Sequence, residues 1–121
     1  DRYQMRDLVL VASFNESLMY SFRRAAPDVL TSFSPLEVAQ FLILTPELES
    51  LYEPPCPFLQ VPPFSGGLAV LTADLVTRAH RLGLYVHAWD VDEQLAETIA
   101  LDVDGLIVDD PDALKALLET P

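Results

Sequence analysis

Basic residues are scarce in this chain: seven Lys and Arg stand against nineteen Asp and Glu, for a formal net charge of −12. Lys115 is the only lysine and Lys or Arg never form a run, so no cationic stripe exists to track a phosphate backbone, and nucleic acid is excluded as a partner. Cysteine is rarer still. Cys56 stands alone, which rules out an intrachain disulfide and a multi-cysteine metal site and fits a reducing, cytoplasmic compartment. No apolar run approaches the ~18 residues of a spanning helix, and Asp1 to Asp7 lack the basic-then-apolar order of a signal peptide, so no membrane is expected. There is no glycine-rich phosphate loop and no acidic pair closing a first strand. Both absences count against a nucleotide-binding or receiver domain of the flavodoxin-like kind.

What the chain does contain is apolar: half of its 121 residues are hydrophobic and the mean hydropathy is +0.24. This composition excludes a disordered tail and suits one domain with a well-buried core. The acidic excess is first a solvated surface that favours solubility, and only second a hint of cation binding.

Strands are predicted over residues 8–12, 29–33, 58–61, 84–89 and 105–108, each a short, nearly continuous apolar run of the kind covered on both faces. Helical periodicity follows each of them. The first helix starts either at an Asn15 cap or at a capping box of Ser13 and Glu16, buries Leu18, Phe22 and Ala25, and stops at Pro27. Ser34-Pro35-Leu36-Glu37 is a complete helix start, with Leu36, Ala39 and Ile43 inward, and Thr45-Pro46 opens a shorter helical piece to about residue 51. Glu53-Pro54-Pro55-Cys56-Pro57 is a rigid connector, and Ser65-Gly66-Gly67 turns the chain. Thr72 caps a helix that buries Leu75, Ala79 and Leu82 and ends at Gly83. Asp92 caps the helix of Leu95 and Ile99, and Asp110-Pro111 opens a last helix with Leu114, Leu117 and Leu118 buried. Five strand-then-helix units of this kind argue for a parallel sheet in an α/β fold.

The segment Val86-His87-Ala88-Trp89-Asp90-Val91-Asp92, followed by Asp104-Gly105-Leu106-Ile107-Val108-Asp109-Asp110-Pro111, resembles the "VHVWTVND" and "GVDGIITDRP" end of the glycerophosphodiester phosphodiesterase family. Val11-Ala12-Ser13-Phe14 is similar to its "ASF" strand end, and Ala26-Pro27-Asp28-Val29 to its "aPdv" segment. Leu59-Gln60-Val61-Pro62, Val70-Leu71-Thr72 and Ala79-His80-Arg81-Leu82-Gly83 resemble the "QVP…VVT…AHR.G" course of a bacterial cytoplasmic subgroup. The resemblance implies a TIM-type (β/α) barrel of which residues 1–121 are the C-terminal portion, the last five of eight βα units. It implies hydrolysis of a small-molecule glycerophosphodiester to glycerol 3-phosphate and an alcohol, with two histidines moving protons and a divalent cation, magnesium or calcium, on the phosphate. The family's "HRG", "PENT", "ExD", "HD" and "ExK" motifs are absent. His80-Arg81 precedes Leu82 rather than glycine, so this chain is expected to hold no catalytic residue and no metal ligand, and to be inactive alone.

By the same resemblance the substrate-binding candidates are Trp89, Phe14 and Gln60. Trp89 ends a strand, where barrels face their substrate, and its alternative is core packing; the motif position favours the wall. Phe14 carries the mouth and packing readings evenly. Gln60 requires a hydrogen-bond partner, for which a backbone or barrel-interior group outweighs a substrate hydroxyl. His87 shares a strand face with Tyr85 and Trp89 and reads as a buried, satisfied histidine. Asp90 and Asp92 stand where the family commonly has Thr and Asn, and Asp110 where it often has Arg, which adds negative charge near the mouth. An open inner face also predicts association of isolated chains. Beside the phosphodiesterase reading stands a small non-catalytic α/β binding or interaction module derived from the same fold.

Overall fold

A computed structural model describes residues 2–119 and shows a mixed α/β chain that divides after Leu59 into two compact units. In the first unit a single 3-10 turn (Arg6–Leu8) leads to β1 (Leu10–Val11), α1 (Glu16–Ala25), β2 (Leu30–Thr31), α2 (Pro35–Leu42) and α3 (Pro46–Glu49). β1 and β2 pair in parallel, Leu10 with Leu30 and Val11 with Thr31. Both strands are shorter than the sequence suggests. Residues 6–8 are drawn into the 3-10 turn, and beyond Thr31 the backbone changes partner: Ser32 still donates to the Val11 carbonyl of β1, but Phe33 donates to that of Phe58.

Asn15 caps α1, accepting from Leu18 N at 2.9 Å, while Ser13 accepts from Asn15 N and Glu16 turns away to accept from Leu36 N. The capping-box alternative is therefore not the one used. The inward stripe is also rotated from the expected one: Met19 is buried, Phe22 and Arg23 are half-buried and Leu18 is exposed. A polar cluster accounts for the rotation. The Arg23 guanidinium grips the Glu37 carboxylate with two bonds of 2.6 and 2.8 Å, and also donates to Thr31 Oγ1 and the Ser32 carbonyl. Satisfying a planar five-donor group requires it to face the strands, and the helix turns accordingly. Ser34 and Glu37 form the predicted capping box of α2. Glu37 is already committed inward, so Phe41 becomes the buried anchor of α2, packed edge-on to Phe33, and Leu36 and Ile43 point to solvent, Ile43 at 79% exposure. Burial pushes the Glu37 carboxyl upward, but the bonds from Arg23 and Ser34 outweigh it and hold the group below its ordinary range.

The second unit begins within β3 (Phe58–Val61) and continues through β4 (Phe64–Ser65), β5 (Leu68–Ala69), α4 (Ala73–Arg81), β6 (Tyr85–Trp89), α5 (Leu95–Ala100), β7 (Gly105–Ile107) and α6 (Pro111–Leu118). The sheet order is β3-β6-β7, with β6 and β7 parallel. β4 and β5, an unforeseen antiparallel hairpin, pair Phe64 with Ala69 and Ser65 with Leu68. Gly66 and Gly67 form its two-residue loop with φ of 59° and 80°, the left-handed pair that such a tight turn requires. Among the described residues the strands form no closed barrel.

Thr72 caps α4, and Gly83, at φ 77°, ends it: Gly83 N donates to His80 O and Leu84 N to Ala79 O, the two bonds of a glycine-terminated helix. Leu75, Val76 and Ala79 on α4 are buried, as are Val61, Val86 and Ala88 of the strands, and each larger aliphatic side chain so buried contributes about 1.5–3 kcal/mol. Gln94 rather than Asp92 precedes α5, whose Thr98 donates to the Gln94 carbonyl. Asp110 caps α6 as expected, but Leu114 and Leu117 are only half-buried and Leu118 is exposed.

Candidate functional site

The alternation of β6 sorts its side chains. Val86 and Ala88 are fully buried, so Tyr85, His87 and Trp89 share the opposite, more open face. Gln60, on neighbouring β3, meets His87 there, its amide nitrogen 3.0 Å from Nδ1. Donation from the amide to Nδ1 places the imidazole proton on Nε2. Burial lowers the His87 pKa below its ordinary value, and the nearby Asp104 charge opposes this only in part. On the other side lies β7, where Gly105 pairs with His87; a Cβ at Gly105 would stand 2.8 Å from His87 Cδ2. The open face thus carries Gln60, His87 and Gly105 side by side, with Trp89 beyond them, half-buried and paired in register with Ile107.

The two ends of these strands are built differently. At the N-terminal end, the Asp104 carboxylate accepts from Val86 N and lies 2.8 Å from His80 Nε2. Burial raises the Asp104 carboxyl, but the Val86 N–H and the His80 imidazole hold it below its ordinary range. This is a fastening between α4, β6 and β7. At the C-terminal ends, the segments after all three strands enclose a cleft of about 330 Å³ lined by Pro63 and Phe64 after β3, by Asp90, Asp92, Glu93 and Gln94 after β6, and by Asp109 after β7. Asp92, expected as a helix cap, instead fastens one rim segment to another: its carboxylate accepts from the backbone N–H groups of Asp109 and Asp110 at 3.1–3.2 Å. Asp90 leaves β6 at φ 57°, a left-handed conformation that Asp tolerates better than most residues.

Of the three substrate-binding candidates, Gln60 and Trp89 therefore lie on adjoining strands of one sheet, whereas Phe14 belongs to the first unit, between β1 and α1, 77% exposed. Asp90 and Asp92 do reach the cleft, as the charge reading expects; Asp110 is occupied in capping α6. Phe64, Glu93, Gln94 and Asp109 are lining residues that the sequence did not single out as a site. The signal for Phe64 is the Gly66-Gly67 pair between Phe64-Ser65 and Leu68-Ala69, since two adjacent glycines mark a two-residue hairpin loop. Among the described residues no group of three or more His, Cys, Asp or Glu side chains is placed to hold a metal ion, and no helix is long and apolar enough to cross a membrane.

Parallel strands joined by helices, with a cleft at the strand C-termini, is the arrangement in which α/β folds bind their ligands. The sequence model of the glycerophosphoryl diester phosphodiesterase family matches residues 2–113. The chain is also 40% identical over 62 residues, half of its length, to the probable glycerophosphodiester phosphodiesterase 2 of Mycobacterium tuberculosis, and this match spans 24% of that relative. The architecture, the motif course and the extent of the family match agree, and the chain belongs to the glycerophosphoryl diester phosphodiesterase family.

Proposed function

We propose that residues 1–121 are the C-terminal part, the last five of eight βα units, of a TIM-type (β/α) barrel. The whole protein is a metal-dependent phosphodiesterase that hydrolyses a glycerophosphodiester to glycerol 3-phosphate and an alcohol. The observation that carries this reading is the cleft at the C-terminal ends of β3, β6 and β7 in a chain matched by the family over residues 2–113. In this account Trp89, Gln60 and Phe14 bind substrate, and the chain supplies the wall against which the diester is oriented and from which bulk water is excluded. The acids and bases, and the ligands of a divalent cation, magnesium or calcium, lie outside this chain. The cation supplies Lewis-acid stabilisation of the phosphate oxygens. Resemblance to the bacterial cytoplasmic subgroup carries the location. The half-exposed Tyr85 and Ile107 on one face of this sheet support self-association of isolated chains.

The test is release of glycerol 3-phosphate from glycerophosphodiesters by the protein that carries this chain, before and after chelation and metal restoration, in parallel with the isolated 121 residues. Metal-dependent release by the whole protein and none by the isolated chain is expected. Turnover by highly purified isolated chain, or no turnover by the whole protein with any divalent cation, contradicts the reading.

A further inference from the structure

Gln60, His87, Asp104 and His80 form a connected series across the second unit, drawn from β3, β6, the segment entering β7, and α4. Asp104 is its centre. Its backbone N–H donates to the Val86 carbonyl at 2.8 Å while its carboxylate accepts from the Val86 N–H at 2.8 Å, so the charge is fixed beside the residue that precedes His87. The same carboxylate oxygen lies 2.8 Å from His80 Nε2. Gly105, the next residue, meets the His87 ring: a Cβ there would stand 2.8 Å from Cδ2 and 3.3 Å from Nε2. One carboxylate thus serves both histidines of the chain.

Few groups act on His87. β3 presents the neutral Gln60 amide, β7 presents the Gly105 backbone, and Tyr85 and Trp89 flank it on its own strand face. Among the described residues Asp104 is the charged group whose field acts on it; that field favours a proton on His87, and burial opposes it and prevails. A proton on His80 offsets the Asp104 charge, so His87 then loses the field that favours its own proton. The two histidines compete for one counter-charge.

Protonation of His87 also changes what Gln60 can do. Nδ1 accepts from the Gln60 amide nitrogen at 3.0 Å. Once Nδ1 carries a proton, two donors face each other, and the amide must turn half a revolution to offer its carbonyl oxygen instead. The ring has no such freedom, because its Cδ2 edge lies against Gly105 without space for even a methyl group.

We propose that His80, Asp104, His87 and Gln60 form a proton-operated switch that reverses the polarity of Gln60 on the open sheet face. With neutral His87, Gln60 directs its N–H at the ring and keeps its carbonyl oxygen for another donor; with protonated His87 the two ends of the amide exchange. A proton on His80 holds the switch in the first state. The switch goes beyond the phosphodiesterase reading and does not rest on it.

The experiment is a pH titration of the intact protein that carries this chain, isotope-labelled at histidine and glutamine nitrogen and followed by NMR. His80→Gln, His87→Gln and Gln60→Leu identify the signals by their loss. His87 is expected to titrate below the ordinary histidine value, and the Gln60 amide signals to move with the same midpoint. In His80→Gln, whose amide can still donate to Asp104 but carries no charge, the His87 midpoint should rise. In Asp104→Asn, which can still accept from the Val86 N–H, it should fall. A merely structural contact gives no reason for shifts of opposite sign. A His87 midpoint unmoved in both variants, or moved the same way in both, overturns the linkage, and Gln60 signals that ignore the His87 titration overturn the switch. If one variant fails to fold, the coincidence of the His87 and Gln60 midpoints in wild type and the shift in the other variant decide the matter.

Discussion

At Gly105 the absence of a side chain is a packing requirement, because a methyl group there would meet the His87 ring at 2.8 Å. The ring is itself held by Gln60 at 3.0 Å, so Gly105→Ala must either displace β7 or break that bond. It should cost roughly 1–3 kcal/mol, as overpacking does, measurable as a lower urea midpoint at unchanged slope. His87 also fixes a pH dependence. Its pKa is lowered from the ordinary 6.5, so as pH falls below about 6.5 the unfolded chain takes up a proton that the folded chain refuses. The stability from neutral His87 is thus complete above that value and is lost progressively toward its lower folded pKa. Glu37, lowered from 4.5, contributes stability that is present above that value and lost as pH falls through its folded pKa. Urea midpoints between pH 8 and 5 should therefore decline at the acid end in the wild type and decline less in His87→Gln; parallel curves would remove His87 from this role.

Among the elements, α1 and α2 show how a polar cluster overrides an apolar stripe. Arg23 spends its guanidinium on Glu37, Thr31 and Ser32, and a lysine at this position has one charged nitrogen and no fork with which to repeat that pattern. Arg23→Lys should cost about 1–3 kcal/mol, less than the loss of a fully buried partner because the pair keeps 20–25% of its side-chain surface exposed. A melting temperature unchanged in Arg23→Lys would show that the cluster does not hold α1 and α2 together. This is also where the sequence was least legible. Caps and stops act through neighbouring residues, so Asn15, Ser34 with Glu37, Thr72, Gly83 and Asp110 could be read from local chemistry and are found in place. The facing of a helix depends on what it meets across the chain. Leu18, Leu36 and Ile43 satisfy the helical period, yet the ion pair and Phe41 take the inward positions. The hairpin was hidden for a related reason: two-residue strands carry almost no periodicity, and only Gly66-Gly67 marked it. Asp92 occupies a capping position in the sequence, but its partners, the N–H groups of Asp109 and Asp110, are brought to it by the parallel pairing of β6 and β7.

For the whole molecule, family membership and the cleft at the strand C-termini are the grounds for the proposed substrate-binding wall. The same arrangement predicts behaviour in isolation. Tyr85 and Ile107 on the open sheet face and Leu118 on α6 are all about half exposed or more, and apolar surface of this kind drives association. Sedimentation of the isolated chain should show concentration-dependent oligomers; a stable monomer with a cooperative melt would favour the small non-catalytic module instead. The most direct measurement concerns Trp89, which ends β6 next to Asp90 of the cleft and is half-buried. Kinetics and melting of Trp89→Ala are compared in the whole protein. If the strand ends form the substrate mouth, kcat/KM for the glycerophosphodiester falls while the melting temperature changes little, because a rim residue gives up less packing than a core one. The contradicting result is a loss of about 3–5 kcal/mol of stability, typical of a buried large aromatic, with unchanged kinetics in the enzyme that remains folded.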